Sequence, residues 1–375
     1  MTEIASGRSM PYYARLDGLR AIAVMAVFAE HFTYSELIRG WNPGMIGVRT
    51  FFVLSGFLIT TILLNQRGTA SGLDLAKRFF TRRFVRLSPP FYIAIALAAL
   101  LGISGMPSDW WIHALYLSNI HVALTEQWSG AGHFWTLAVE EQFYLLWFPA
   151  VVLAPRRWLL PIIIGGLIMA PAFRMLIVFG ASGFIDVLLP SQLDSLGIGG
   201  LMAVAFRTPA LRWLDRIFLN RRLLYICLGL VFVLSAPWYR PGLLSHAILG
   251  WIALPAAVSL AAALLIRQCV AAEGQTLNWL QHPVLVHVGK ISYGLYVFHY
   301  FVPPALYEHV PAIMVLTEGP LKIVRTLVWI IISFILAEIS WRLIEQPLMR
   351  RRRQPTLTGE PLLTPQPMRR DAEGS

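Results

Sequence analysis

Arg15-Leu-Asp-Gly-Leu-Arg20-Ala-Ile-Ala-Val-Met-Ala-Val-Phe-Ala-Glu30-His31-Phe-Thr-Tyr-Ser-Glu36 runs from a basic, polar edge into an apolar helix that carries a glutamate and a histidine near its far end. Arg20 and His31 are eleven positions apart. That is about three turns at 3.6 residues per turn, so both fall on one face of the helix. At 1.5 Å per residue the separation is roughly 16 Å, which sets Arg20 at one membrane surface and His31 well inside. An ionisable residue within a spanning segment is expensive and by default marks a functional site or an internal partner. The rest of the chain reads as a scaffold that holds this histidine between two solvents.

The composition outside that stretch is that of a membrane protein. Of 375 residues, 57% are hydrophobic and only 14% charged, with mean hydropathy +0.61. Soluble domains carry about 25% charged residues. The net charge of +11 would suit nucleic acid if the bases formed one patch, but they fall between apolar runs as cytoplasmic loops do, so no nucleic-acid partner is expected. Cys227 and Cys269 both lie in or beside apolar segments, which indicates neither a disulfide framework nor a metal site. The first ten residues are polar and the first apolar run is too long for a signal core, so no cleavable leader is expected.

Apolar segments of spanning length fall at 19–38, 47–65, 88–105, 133–154, 158–180, 192–206, 223–237, 245–266, 287–305 and 322–342. They predict an all-α, polytopic membrane bundle of about ten transmembrane helices. With the N-terminus inside, 25 of the 31 Lys and Arg fall in inner loops and tails, so both termini are expected in the cytoplasm. An eleventh span at 110–124 would turn every later loop over, so residues 106–132 read as an outer interfacial or re-entrant piece. One membrane domain, 1–346, is followed by a basic, Pro-rich tail, 347–375. Its Arg350-Arg351-Arg352-Arg353 run is expected at lipid headgroups and the tail is expected to be disordered.

Four stretches carry chemistry. Arg20 with His31 suggests a histidine general base, because an imidazole titrates near neutrality; the alternative is a histidine bonded to a neighbouring helix. In Lys77-Arg78-Phe-Phe-Thr-Arg82-Arg83-Phe-Val-Arg86, positions 83 and 86 face one way at the cytoplasmic mouth, where guanidinium forks would suit phosphate. Topological charge alone also explains them. In Phe134-Trp-Thr-Leu-Ala-Val-Glu140-Glu141-Gln-Phe-Tyr144, two carboxylates enter a span and must be paired, protonated or solvated. Either one of them orients His31 or binds an acceptor hydroxyl, or they form a helix–helix ion pair with Arg174. Last, Ser292, Tyr296 and His299 lie near one stripe of a later helix, singly more in keeping with packing than catalysis. Phe51-Phe-Val-Leu-Ser55-Gly56-Phe57 reads as close packing through small residues, not as a nucleophile elbow.

Taken together the chain resembles acyltransferase family 3, the integral-membrane O-acyltransferases. Five features carry the resemblance in order: Arg20-x10-His31, the Phe51–Ile59 run, Arg83-x-x-Arg86, the Phe134–Tyr144 run and the closing Glu345-Gln-Pro-Leu. The resemblance implies a ten-helix bundle in the bacterial cytoplasmic membrane that transfers an acyl group, usually acetyl, from acyl-CoA to a carbohydrate hydroxyl. It also implies the stand-alone form without a fused outer domain. On that reading His31 is the catalytic base, Glu140 or Glu141 (or Glu30) supports its imidazole, and Arg20, Arg82, Arg83 and Arg86 hold the phosphates of acyl-CoA. A covalent acyl-histidine relay is a second path. The competing classes are a ten-span transporter or flippase of a sugar or lipid-linked intermediate, and a membrane scaffold. Inverted-repeat symmetry and paired broken helices, the marks of a transporter, are not seen in the sequence.

Overall fold

A computed structural model describes residues 12–33, 35–103, 105–128, 130–236, 243–271, 275–310 and 321–351, and among these every element is helical. Ten helices of fifteen residues or more occur in the described residues: α1 (Ala14–Phe32), α2 (Pro43–Gln66), α3 (Gly72–Leu100), α4 (Trp135–Val152), α5 (Arg156–Val178), α6 (Leu189–Arg207), α7 (Arg221–Ser235), α8 (Leu254–Val270), α9 (Pro283–Phe298) and α10 (Leu321–Ser340). Six stretches are long and apolar enough to cross a membrane: Pro43–Gln66, Gly72–Leu100, Arg156–Val178, Gly183–Arg207, Leu249–Val270 and Leu321–Arg350. A seventh qualifies if the pair Pro209–Phe218 and Arg221–Ser235, bent by 50°, counts as one span. The three long helices outside that set are α1, α4 and α9. α1 carries Arg15, Asp17, Arg20 and Glu30, α4 carries Glu140, Glu141 and Gln142, and α9 is only 16 residues long. These are the helices that bring most of the polar side chains to the site described below.

Two boundaries differ from the sequence expectation. The basic stretch before residue 88 is not a loop, because α3 runs unbroken for 29 residues with Pro89 and Pro90 inside it. At 1.5 Å per residue it is about 44 Å long against a hydrocarbon core of about 30 Å, so its basic first half can stand among headgroups while its second half spans. Its start is fixed by Ser71, whose hydroxyl accepts from the Asp74 amide at 3.2 Å. The expected tail also begins later, since a helix continues over Gln346–Arg351; the expectation of disorder beyond it falls on residues outside the described ones. Where the sequence places an outer interfacial piece, the described residues hold two short helices, Met106–Ala114 and Ser118–Thr125, each too short to span.

α1 lies at the centre, packed against α9 on one side and α2 on the other, and α2 in turn packs along α6. The α2–α6 contact is close because Gly56 faces the backbone of Leu196 and Gly199 faces that of Val53. A β-carbon at either glycine would strike a carbonyl oxygen. The sequence reading of the Phe51–Phe57 stretch as close packing through small residues is met at Gly56.

Candidate functional site

Gly289 of α9 sets the site. A β-carbon there would fall onto the Asp17 carbonyl oxygen, so only glycine lets α9 approach α1 this closely. The crossing brings Lys290, Ser292, Tyr293 and Tyr296 round to the face of α1 that carries Arg20. α3 adds Arg83, Arg86 and Leu87, α4 adds Thr136, Leu137, Glu140 and Tyr144, and Glu345 arrives from the turn after α10. The apolar wall is α2, with Val48, Phe51, Phe52, Leu54, Leu58 and Ile59 around Ser55. Together they enclose a cavity of about 130 Å³, room for several waters or a slender chain.

The cavity holds four cationic side chains, Arg20, Arg83, Arg86 and Lys290, against two carboxylates, Glu140 and Glu345. Arg20 lies 3.5 Å from Asp17, outside the cavity lining. Among the described residues no carboxylate lies within 4.0 Å of Arg83, Arg86 or Lys290. Arg83 is instead held by a phenol: its Nη2 donates to Tyr144 Oη at 2.8 Å and its guanidinium lies 4.0 Å from the Tyr144 ring centroid. Tyr144 Oη donates to Glu140 Oε2 at 2.8 Å, which uses its one proton, so Ser55 Oγ, 2.6 Å away, must be the donor of that contact. Glu345 Oε1 accepts from Ser340 Oγ at 3.0 Å.

His31 does not line this cavity. Its half-buried ring stacks on His299, with centroids 5.0 Å apart, and its Nδ1 lies 2.8 Å from His299 Nε2. His299 is fully buried, and its Nδ1 lies 2.8 Å from the Tyr296 carbonyl oxygen. Tyr296 joins the two places. Its side chain lines the cavity, where its hydroxyl donates to the His133 carbonyl at 2.8 Å and accepts from Thr136 Oγ1 at 2.7 Å, while its backbone holds His299.

Of the residues singled out in the sequence, Arg20, Arg83, Arg86 and Glu140 meet in the cavity. Arg82 and Glu141 are not among its lining residues: Arg82 is exposed on another face of α3, and Glu141, one position past Glu140, is turned about 100° round the helix. The hydrogen-bond partner the structure gives the His31 imidazole is a histidine, not one of the carboxylates expected there. Glu30 accepts from the Gly44 amide at 3.3 Å and Glu140 from Tyr144, so both are engaged elsewhere. Sequence reasoning left His299, Lys290 and Glu345 without a role. The signal for His299 was its spacing from Ser292 and Tyr296, which puts a buried imidazole at the inner end of a polar stripe.

Arg174 does not pair with Glu140 or Glu141 either. Its Nη2 lies 2.6 Å from Asp194 Oδ2, its Nε donates to the Trp251 carbonyl at 2.7 Å, and Nη1 donates to the Ser191 carbonyl. Arg49 reaches the other oxygen of Asp194 at 3.1 Å, Ser195 Oγ at 2.9 Å and Asp186 at 3.8 Å. This cluster ties α2, α5 and α6 together in the bundle interior and went unread in the sequence.

The family model described as an acyltransferase domain matches residues 13–341. Among curated proteins, the chain is 32% identical over 387 aligned residues to the peptidoglycan O-acetyltransferase OatA of Listeria monocytogenes, covering 91% of this chain and 56% of that protein. It is 30% identical to the putative peptidoglycan O-acetyltransferase YrhL of Bacillus subtilis, over 90% of this chain and 55% of that one. A putative O-acetyltransferase of Staphylococcus aureus is 27% identical over 92% of this chain and 58% of its own length. The chain therefore spans a little over half the length of the relatives it matches, and none of these three is described as a transporter. No solved structure matches.

Proposed function

The chain belongs to acyltransferase family 3, and from that membership and the cavity chemistry we propose that it is a membrane O-acetyltransferase acting on a carbohydrate hydroxyl. The observation that carries the reading is the group of three cations, Arg83, Arg86 and Lys290, that face a narrow cavity with no carboxylate of their own. Arg86 and Lys290 are exposed and Arg83 is half-buried, so these cations stand open at the cavity, where an anionic ligand can reach them. A phosphate-bearing thioester such as acetyl-CoA fits both halves of the lining: the guanidiniums and the ammonium for its phosphates, the α2 wall for its slender arm. Bound there, such a donor supplies an acyl group activated by a thiol leaving group. The carbohydrate acceptor is inferred from the relatives, whose names specify peptidoglycan.

In this reading α1, α4 and α9 span the membrane with the seven more apolar segments. That gives ten spans, both termini on the cytoplasmic side and the basic start of α3 at the cytoplasmic mouth of the cavity. Tyr144 and Ser55 hold Arg83 rigid against the mouth. The thioester end of the donor must pass beyond Tyr296, from the cavity to His31. His31 takes the acceptor hydroxyl proton at Nε2 as the oxygen attacks the thioester carbonyl. The C–O bond forms, the C–S bond breaks, and the proton passes from His31 to the departing thiolate. A positioned base of this kind typically contributes 10²–10⁴-fold.

Purified protein in detergent, given acetyl-CoA and peptidoglycan-derived or other oligosaccharides, should release free thiol only when acceptor is present. His31→Ala, inserted and monodisperse, should lose about 10²–10⁴-fold in rate. Thioester consumption unaffected by that substitution removes His31 as base. No consumption with any hydroxyl acceptor removes the transferase reading.

A further inference from the structure

We infer that His299 is a positioning residue for His31, fixing which of the two ring nitrogens of His31 is free to take a proton. The inference rests on the reading of His31 as the base. It starts from a one-way chain of hydrogen bonds. The Tyr296 carbonyl oxygen can only accept, so His299 Nδ1, 2.8 Å from it, carries a proton. A neutral imidazole has one protonated nitrogen, so His299 Nε2 presents a lone pair. His31 Nδ1 lies 2.8 Å from that lone pair and must be the donor. The proton of a neutral His31 is therefore held at Nδ1, and its Nε2 is bare.

The opposite order is disfavoured at its first step, since it would set a lone pair of His299 against the Tyr296 carbonyl in a fully buried place. His299 also has no freedom to turn away. Phe28 stacks on it at 5.2 Å with an interplanar angle of 23°, His31 stacks at 5.0 Å, and His133 meets it edge-on at 5.4 Å. Once His31 accepts a proton at Nε2, its Nδ1–H bond to His299 becomes charge-assisted and stronger, so the partner favours the protonated intermediate as well as the starting tautomer. The part an acidic residue plays beside many catalytic histidines is thus taken by a second, neutral imidazole anchored on backbone.

His299 is not part of the cavity lining, so its loss should act on the chemical step and leave donor binding alone. The test compares His299→Ala, His299→Gln and His31→Ala in detergent-purified protein. Gln replaces the ring acceptor by an amide oxygen and keeps a partner for His31 Nδ1. His299→Ala should lower kcat by about 10- to 100-fold, the worth of a hydrogen bond to a charged group, with KM for acetyl-CoA unchanged, and His299→Gln should recover most of that loss. Equal losses in Ala and Gln would assign His299 to packing and overturn the inference. So would a wild-type kcat in His299→Ala alongside an inactive His31→Ala. A wild-type rate in His31→Ala would instead sink the base reading beneath it. Should His299→Ala fail to fold, nitrogen-15 NMR of the wild-type histidines decides: a bare Nε2 on His31 supports the inference, and a protonated Nε2 with bare Nδ1 overturns it.

Discussion

Two groups of arginines lie in this bundle, and they differ in what faces them. Arg49 and Arg174 are 1% and 0% exposed, and each is matched: Asp194 bridges the two with one oxygen apiece, and Asp186 lies 3.8 Å from Arg49. Further hydrogen bonds go to Ser195, Ser191 and Trp251, while Arg49 Nη2 has, among the described residues, only the 3.8 Å ion pair with Asp186. In the cavity, Arg83 meets the hydroxyl and ring of Tyr144. Among the described residues Arg83, Arg86 and Lys290 have no carboxylate within 4.0 Å, although Glu140 and Glu345 share the lining. Charge that is closed on itself holds helices in place, whereas charge left open over a cavity is available to a ligand. Burial and carboxylates separate the two together: Arg49 and Arg174 are buried on Asp194, whereas Arg83 is half-buried and Arg86 and Lys290 are exposed, none of the three with a carboxylate within 4.0 Å among the described residues.

The comparison is broken most severely at Asp194. Asp194→Ala would strand the buried Arg174 guanidinium and leave Arg49 only Asp186, 3.8 Å away. Removing one partner of a buried ion pair costs about 3–5 kcal/mol, and here one carboxylate serves two cations. The expected result is a large fall in the yield of monodisperse protein and in its thermal midpoint in detergent. A variant that purifies and melts like wild type would show that the cluster is not what locks α2, α5 and α6.

Arg86→Ala and Arg83→Ala should behave in the opposite way. With no carboxylate partner to strand, they should fold normally, and each should raise KM for acetyl-CoA about tenfold or more, the worth of a charge-assisted hydrogen bond. Arg83→Ala also removes the group over Tyr144, so some of its effect should appear in kcat. Unchanged KM in both variants would reduce these arginines to topological charge and erase the distinction between the two groups.

Much of the cavity was legible before any coordinates because its residues recur at helical spacing on single elements. Arg83 and Arg86 sit three apart on α3 and both line the cavity; Arg20 and His31 share one face of α1, but only Arg20 lines it. What was missed depends on contacts between distant segments. His299 reaches His31 across 268 positions, and Arg49 reaches Asp194 across 145, and no local pattern encodes such a pairing. The close approach of α9 to α1 at Gly289 was hidden for the same reason. The stretch Glu140-Glu141 marks the limit from the other side: adjacency in sequence suggested a shared role, and a helix separates neighbours by about 100°.

That separation yields the smallest expected effect and the sharpest control. Arg82 and Arg83 are adjacent on α3 and chemically identical, as Glu140 and Glu141 are on α4, yet in each pair only one member lines the cavity. Arg82 is exposed and carries no ion pair among the described residues, so Arg82→Ala should leave KM, kcat and thermal midpoint within about twofold or 0.5 kcal/mol of wild type. Glu141→Gln should be similarly mild, whereas Glu140→Gln removes the charged acceptor of Tyr144 and loosens the hold on Arg83. Steady-state kinetics on the four single variants would check this. If Arg82→Ala raised KM as far as Arg83→Ala, the phosphate contacts would depend on the charge density of the whole basic stretch, and the cavity would lose its claim to be the place where the donor is read.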